Sequence, residues 1–234
     1  MTNILICGAC GAMGKTLFEI LKKEDGMRAV CGVDPVQATA SIPVYADFSS
    51  VAEQVDIVID FSSPDRLEER LSFAENKNCP IVIATTGLTD YDRALIEKTA
   101  KNIPVFYAAN FSPAVAVMKQ LLVFAARALP QFDLTVIETH HKNKKDAPSG
   151  TAKTLIEPLK FTGKDIPVFS LRYGTVVGEH EGVFSLEDET LKIVHRAESK
   201  AVFARGAIIA AKFLCKQNRG LYGMDDLYKI TPSV

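Results

Sequence analysis

Apolar residues in the first half of the chain gather in short, nearly unbroken runs: Asn3 to Cys7, Ala29 to Val33, Val55 to Ile59, Pro80 to Ala84 and Ile103 to Ala108. Helical patterns separate several of them, through Thr16, Leu17, Ile20 and Leu21, then over Arg66 to Glu75 and Asp90 to Lys101. A strand that does not alternate is buried on both faces, so these runs predict a parallel sheet with helices on each side. Polar residues collect where the runs stop, at Asp34, Asp60, Thr85 with Thr86, and Asn110. Sheets of this type bind ligands at that carboxyl edge.

The period changes after a long apolar helical pattern over Phe111 to Leu129. Phe132 to His141, Val168 to Tyr173, Glu181 to Leu186 and Leu191 to Ala197 alternate, as half-buried strands do, and Glu187 to Glu189 predicts a hairpin turn between the last two. A further helix is expected from Gly206 through Ile208, Ile209, Lys212 and Phe213 towards Gly220. The expected fold class is α/β: a Rossmann-like parallel-sheet domain, residues 1–112 plus 206–234, and a second α+β domain with a mixed sheet, residues 113–205.

Composition narrows the partners. The 234 residues are 47% hydrophobic and 24% charged with a formal net charge of -1, which excludes a disordered or nucleic-acid-coating chain and implies no bulk attraction to nucleic acid or membrane. Lys119 and Arg127 interrupt the longest apolar stretch, which therefore reads as a buried helix rather than a membrane span. The first apolar run is too short for a signal peptide and lacks a basic leader. Five cysteines without a framework spacing fit a reducing compartment, so a cytoplasmic protein is expected. Cys7 and Cys10 form a CxxC, but no second ligand pair accompanies them and no metal site is expected.

Gly8-Ala9-Cys10-Gly11-Ala12-Met13-Gly14 follows the first strand and opens the first helix. Small residues let the backbone turn tightly, and the helix N-terminus offers open N–H groups to a pyrophosphate. Asp34, about 20 residues further on, ends the second run where a carboxylate accepts both ribose hydroxyls of an adenosine. The same glycines also serve plain packing of helix on strand. A sharper rival is a relaxed P-loop through Ala9, Gly14, Lys15 and Thr16, with Val55 to Asp60 as the magnesium-holding strand of an ATP-binding protein. Ala9 in place of the strict P-loop glycine, and the positions of Gly8 and Gly11, favour the dinucleotide.

The densest chemistry lies between Glu138 and Ala152. If the strand reaches His141, Glu138 and His140 share one face while His141 points to the other, a poor arrangement for zinc. Pro148 then helps to start a helix whose first residues, Ser149, Gly150 and Thr151, offer hydroxyls and open N–H groups to a carboxylate, with Lys144 adding positive charge. A small anionic molecule is the expected ligand. His180, His195 and Arg196 fall on later strands, where structural roles fit them at least as well as contact with a ligand, and no role is assigned to them.

The run His140-His141-Lys142-Asn143-Lys144-Lys145-Asp146-Ala147-Pro148-Ser149-Gly150-Thr151-Ala152 holds a histidine pair, a lysine three residues on, and DxPSGTA. It resembles the signature of the 4-hydroxy-tetrahydrodipicolinate (dihydrodipicolinate) reductase family. Asp60-Phe61-Ser62-Ser63-Pro64, Thr85-Thr86-Gly87, Ala108-Ala109-Asn110-Phe111-Ser112 and Val177-Gly178-Glu179-His180 are similar to further landmarks of that family, in the same order. The resemblance implies reduction of a cyclic dicarboxylate with loss of water, using NADH or NADPH, in lysine and diaminopimelate biosynthesis.

By matching position, the resemblance implies His140 as the acid/base residue and Lys144 as the proton donor. It implies His141, Gly150 and Thr151, with Ser149 at the helix start, as substrate contacts. Gly8, Ala9, Cys10, Gly11, Ala12, Met13 and Asp34 would hold pyrophosphate and ribose, and Ala84, Thr85, Thr86, Ala108, Ala109, Asn110 and Phe111 would line the nicotinamide. Members that hold the 2′-phosphate of NADPH often carry an arginine after the second-strand acid; Pro35 follows Asp34 here, so NADH is favoured. A homotetramer formed through the second-domain sheets is also implied. The chain is short for such an enzyme, and the missing length is expected in loops between Asp34 and Asp56 and around Phe161 to Val168. A catalytically silent dinucleotide-binding regulator would share every binding feature.

Overall fold

The computed structural model describes residues 1–36 and 41–229. Contacts divide the described residues into two units, Met1–Phe111 with Phe203–Leu227, and Ser112–Val202 with Tyr228 and Lys229. Elements are numbered along the chain. In the first unit, β1 (Thr2–Cys7), β2 (Met27–Val33), β3 (Val44–Tyr45), β4 (Ile57–Asp60), β5 (Ile81–Ile83), β6 (Pro104–Tyr107) and β11 (Gly220–Tyr222) form one parallel sheet in the order β11-β6-β5-β4-β1-β2-β3. Ile4, Leu5 and Ile6 on β1, Ile57, Val58 and Ile59 on β4, and Ile81, Val82 and Ile83 on β5 have no exposed surface. Burial on both faces is why these runs do not alternate, and each such side chain contributes roughly 1.5–3 kcal/mol through removal from water.

Helices α1 (Ala12–Leu21), α2 (Leu67–Lys77) and α3 (Asp90–Thr99) lie between strands where the sequence places them. Two strands escaped the sequence reading: β3 and β11 are the sheet's edge strands, two and three residues long, too short to show a period. Helix α6 (Ala201–Leu214) begins before Gly206, where the Ser199 hydroxyl accepts the Ala201 N–H at 3.2 Å, and a last short helix, α7 (Met224–Leu227), follows later in the chain. Helix α6 ends at Leu214, short of Gly220, and β11 then pairs with β6. Strand order reverses between β1 and β4, so the loop leaving β1 lies at the switch point where such sheets bind ligands.

The second unit holds α4 (Pro113–Ala128), β7 (Asp133–His140), α5 (Gly150–Ile156), β8 (Val168–Arg172), β9 (Gly178–Leu186) and β10 (Glu189–Ala197). Its sheet runs β10-β9-β7-β8 and is mixed: β7 is parallel to β8 and antiparallel to β9. Leu186 pairs with Glu189, so the hairpin turn is Glu187-Asp188 and Glu189 already belongs to β10. Leu134 and Phe184 point from this sheet into a core closed by Val115, Met118 and Leu122 of α4 and Leu155 of α5, and Val136 is buried two residues along β7 from Leu134. Glu138 and His140 continue the same inward row and are buried with it. No helix among the described residues is long and apolar enough to cross a membrane.

Candidate active site

The turn after β1 is built for close approach. Gly8 has φ +74, and a Cβ there would stand 2.8 Å from the Phe61 carbonyl oxygen; at Gly14 it would stand 2.1 Å from the Gly8 carbonyl oxygen. Both positions therefore require glycine. Gly11 caps α1 without a side-chain hydrogen bond and the first turn carries no acidic residue, so its N–H groups stay open to an anion. Asp34, at the end of β2, is buried; its Oδ2 accepts the Cys10 N–H and its Oδ1 the Val36 N–H, both at 2.9 Å. The carboxylate and the glycine turn are thus one rigid piece. A backbone cradle that tolerates no Cβ, joined to a fixed carboxylate, fits the pyrophosphate and ribose of a dinucleotide.

Asp60, at the end of β4, has no exposed surface and pairs with Arg70 of α2 at 2.9 Å. Its oxygens also accept the Ser62 N–H at 3.0 Å and the Thr85 hydroxyl at 2.9 Å, while Arg70 donates to the Ser63 and Asp65 carbonyls. This knot fixes the loop after β4 to the end of β5. It also takes up the Thr85 hydroxyl, leaving exposed Thr86 and half-buried Ala84 as the accessible parts of that edge. The P-loop reading fails here, since Asp60 is spent on Arg70 and the Thr16 hydroxyl turns back to the Ala12 carbonyl at 2.9 Å. Phe111 is buried near the Phe106 and Phe61 rings, and Ala109 is exposed.

In the second unit the inward row of β7 carries two buried titratable groups, Glu138 and His140. Glu138 has no exposed surface; Arg172 of β8 reaches both its oxygens, at 2.6 and 2.9 Å, and Ser149 donates its N–H to it at 3.2 Å. His140 Nδ1 lies 2.5 Å from the same carboxylate. With Nδ1 tied there, Nε2 is the ring nitrogen left for proton transfer. A Cβ at Gly178 would stand 3.1 Å from that nitrogen, so glycine at 178 makes its room. Ser149 caps α5 by accepting the Ala152 N–H at 3.2 Å, and Gly150 and Thr151 open the helix behind it. Lys144 pairs with Asp146 at 2.9 Å on a loop whose first bond runs from the Lys144 N–H to the His141 carbonyl. Among the described residues no cluster has the makings of a metal site.

Burial pushes the Glu138 carboxyl up, but hydrogen bonds from Arg172, Ser170, His140 and Ser149 outweigh it and hold the group at about 2, against an ordinary 4.5. Burial lowers His140 despite its carboxylate partner. His180, buried and flanked by His140 and His195, is held down to about 3 from 6.5. In both cases the unfolded chain takes up the proton first. The His180 contribution is therefore complete above 6.5 and lost as pH falls towards 3, and that of Glu138 is complete above 4.5 and lost towards 2. His180 alone accounts for on the order of 4 kcal/mol. Urea unfolding followed from pH 7 down to pH 4 is expected to show this loss, and a His180→Phe variant to lose less; equal losses in the two proteins would contradict it.

Arg172 was absent from the residues singled out by sequence and Glu138, placed on the face of His140, had no role, although a charged residue facing the inward side of a half-buried strand is a signal that a buried partner exists. The parallel sheet, its glycine turn and the fixed carboxylate define a pyridine-nucleotide-binding protein of Rossmann type, to which a second unit adds a buried carboxylate–histidine pair. Residues 2–111 match the description "Dihydrodipicolinate reductase, N-terminus" and residues 114–228 "Dihydrodipicolinate reductase, C-terminus". The chain belongs to the dihydrodipicolinate reductase family.

Relatives named 4-hydroxy-tetrahydrodipicolinate reductase include one from Caldanaerobacter subterraneus subsp. tengcongensis, 37% identical over 98% of this chain and 99% of its own length. Another, from Xanthomonas campestris pv. campestris, is 39% identical over 96% and 97%. A solved dihydrodipicolinate reductase from Paenisporosarcina sp. TG-14, described as dipicolinate-bound, shares the fold with a TM-score of 0.83 at 22% identity, covering 97% of this chain and 100% of that one. A diaminopimelate dehydrogenase from C. glutamicum is more distant, with a TM-score of 0.61 at 15% identity over 95% and 92%.

Proposed function

We propose that the chain reduces 4-hydroxy-tetrahydrodipicolinate to tetrahydrodipicolinate with loss of water, a step of lysine and diaminopimelate biosynthesis, with the first unit serving the nucleotide and the second the substrate and oligomerisation. The observation that carries this reading is the stretch from Glu138 to Thr151, which joins a buried carboxylate–histidine pair, a lysine loop and a helix start. A cyclic dicarboxylate needs two anion-binding features beside a proton donor, and this stretch offers them.

The nicotinamide, when bound, supplies the hydride. The protein's own work is binding and protonation. His141, Ser149, Gly150 and Thr151 hold the carboxylates through the imidazole and the first turn of α5. Lys144 trades its pairing with Asp146 for a substrate carboxylate. Reduction also consumes a proton, and His140 through Nε2 and Lys144 through its ammonium are the two groups able to give it. Glu138 stabilises the charged imidazole and keeps its Nδ1 side fixed. Gly8, Ala9, Cys10, Gly11, Ala12 and Met13 hold the pyrophosphate, Asp34 the ribose, and Ala84, Thr85, Thr86 and Ala108 to Phe111 line the nicotinamide.

NADH is the favoured cofactor. A fixed anion at Asp34 repels a 2′-phosphate, and Pro35 offers no cation in return. A homotetramer through the second sheet is supported by its outward row: Phe169, Ile137, Glu181 and Val194 lie side by side across four strands, with Phe169 57% and Val194 56% exposed. A monomer mass in light scattering would remove that part. Five cysteines, an odd number without a framework spacing, support a reducing, cytoplasmic setting.

The test is nucleotide oxidation with the fresh condensation product of aspartate semialdehyde and pyruvate. NADH is expected to be consumed only in the complete mixture, with kcat/KM about tenfold or more above that for NADPH. A silent regulator would bind NADH and leave it unoxidised, and a higher kcat/KM with NADPH would overturn the cofactor preference.

A further inference from the structure

We infer that His180, on β9, is a positioning residue for His140. Only 3% of His180 is exposed, and its ring meets that of His140 edge-on with centroids 5.3 Å apart. Its other face stacks on His195 of β10 at 5.9 Å. Its Nε2 lies 3.5 Å from the Ser149 hydroxyl, the oxygen that caps α5. One ring therefore braces both the imidazole that handles the proton and the helix start that receives a carboxylate, and in naming those two tasks the inference rests on the function proposed above.

The arrangement follows from register. Glu138 stands opposite His180 across β7 and β9, and His180 opposite His195 across β9 and β10, so three imidazoles line up on the inward side of one sheet. In so dry a place they do not all carry charge, and the middle ring, which has histidines on both sides, gives up its proton first. His180 Nδ1 is buried with no hydrogen-bond partner. A neutral ring in that position walls water away from one side of His140, while Glu138 holds Nδ1 and Gly178 lies under Nε2. The ionisable groups acting on His140 are Glu138 on its own strand, Arg172 on β8 and Lys144 on the loop, with His180 on β9; His195 reaches it through His180.

Side-chain NMR titration of the full chain tests this directly, since only four histidines need resolving. In the native protein His140 is expected to titrate below the free imidazole range. His180→Ala admits water and is expected to raise the His140 midpoint by about half a unit or more, whereas His180→Phe keeps water out and is expected to leave it in place. If circular dichroism shows the alanine variant unfolded, His180→Asn, which also leaves room for water, takes its place. An unmoved midpoint in the variant that admits water would reduce His180 to core filling, and an equal rise in His180→Phe would dismiss water exclusion as the cause. The titration needs no turnover, so it stands even if the coupled assay finds no reductase.

Discussion

His140→Gln is expected to lower kcat by about 10²–10⁴-fold with KM nearly unchanged, the range that a positioned proton donor or acceptor supplies. Glutamine keeps much of the shape and a hydrogen bond towards Glu138, so the carboxylate stays satisfied while proton transfer through Nε2 is lost. Lys144→Ala is expected to damage both parameters, because the proposed function gives the ammonium two tasks, proton source and counter-charge for a substrate carboxylate. Steady-state kinetics over a range of substrate concentrations separates the two patterns. Unchanged constants in either variant would refute the role given to that residue.

Arg172→Met is expected to destabilise the fold by about 3–5 kcal/mol at neutral pH. Glu138 has no exposed surface, and Arg172 provides two of the hydrogen bonds that keep it ionised. Without the guanidinium the carboxylate is stranded in a dry place, and the folded protein relieves this by protonating it. The deficit is therefore largest at neutral pH and shrinks in acid. Adding Glu138→Gln to Arg172→Met is expected to recover part of the loss, since the stranded charge is gone. Urea unfolding of the single and double variants measures this, and a double variant weaker by the sum of the two single changes would contradict it.

How much was legible follows from what each feature depends on. β1, β4 and β5 announce themselves because burial on both faces writes an unbroken apolar run, and the glycine turn shows because close approach excludes a Cβ at Gly8 and Gly14. The lysine loop and the start of α5 are contiguous in sequence and were read as one unit. Arg172 and His180 were not, because their partners are fixed by pairing: Arg172 stands opposite His140 across parallel β7 and β8, and His180 opposite Glu138 across antiparallel β7 and β9. A linear pattern shows which residues face inward but not which of them meet. The edge strands β3 and β11 escaped for a different reason, as pairing with a neighbour, not periodicity, is all that defines them.

On the function proposed, the second unit clamps a doubly negative ring at the lysine loop and the start of α5. A crystal structure with NADH and pyridine-2,6-dicarboxylate tests it most directly. The ring is predicted to lie between His141 and Thr151, one carboxylate on the first turn of α5 and Lys144 released from Asp146, with the adenosine ribose on Asp34. Density for the ring elsewhere, with Lys144 still paired to Asp146, would contradict the account.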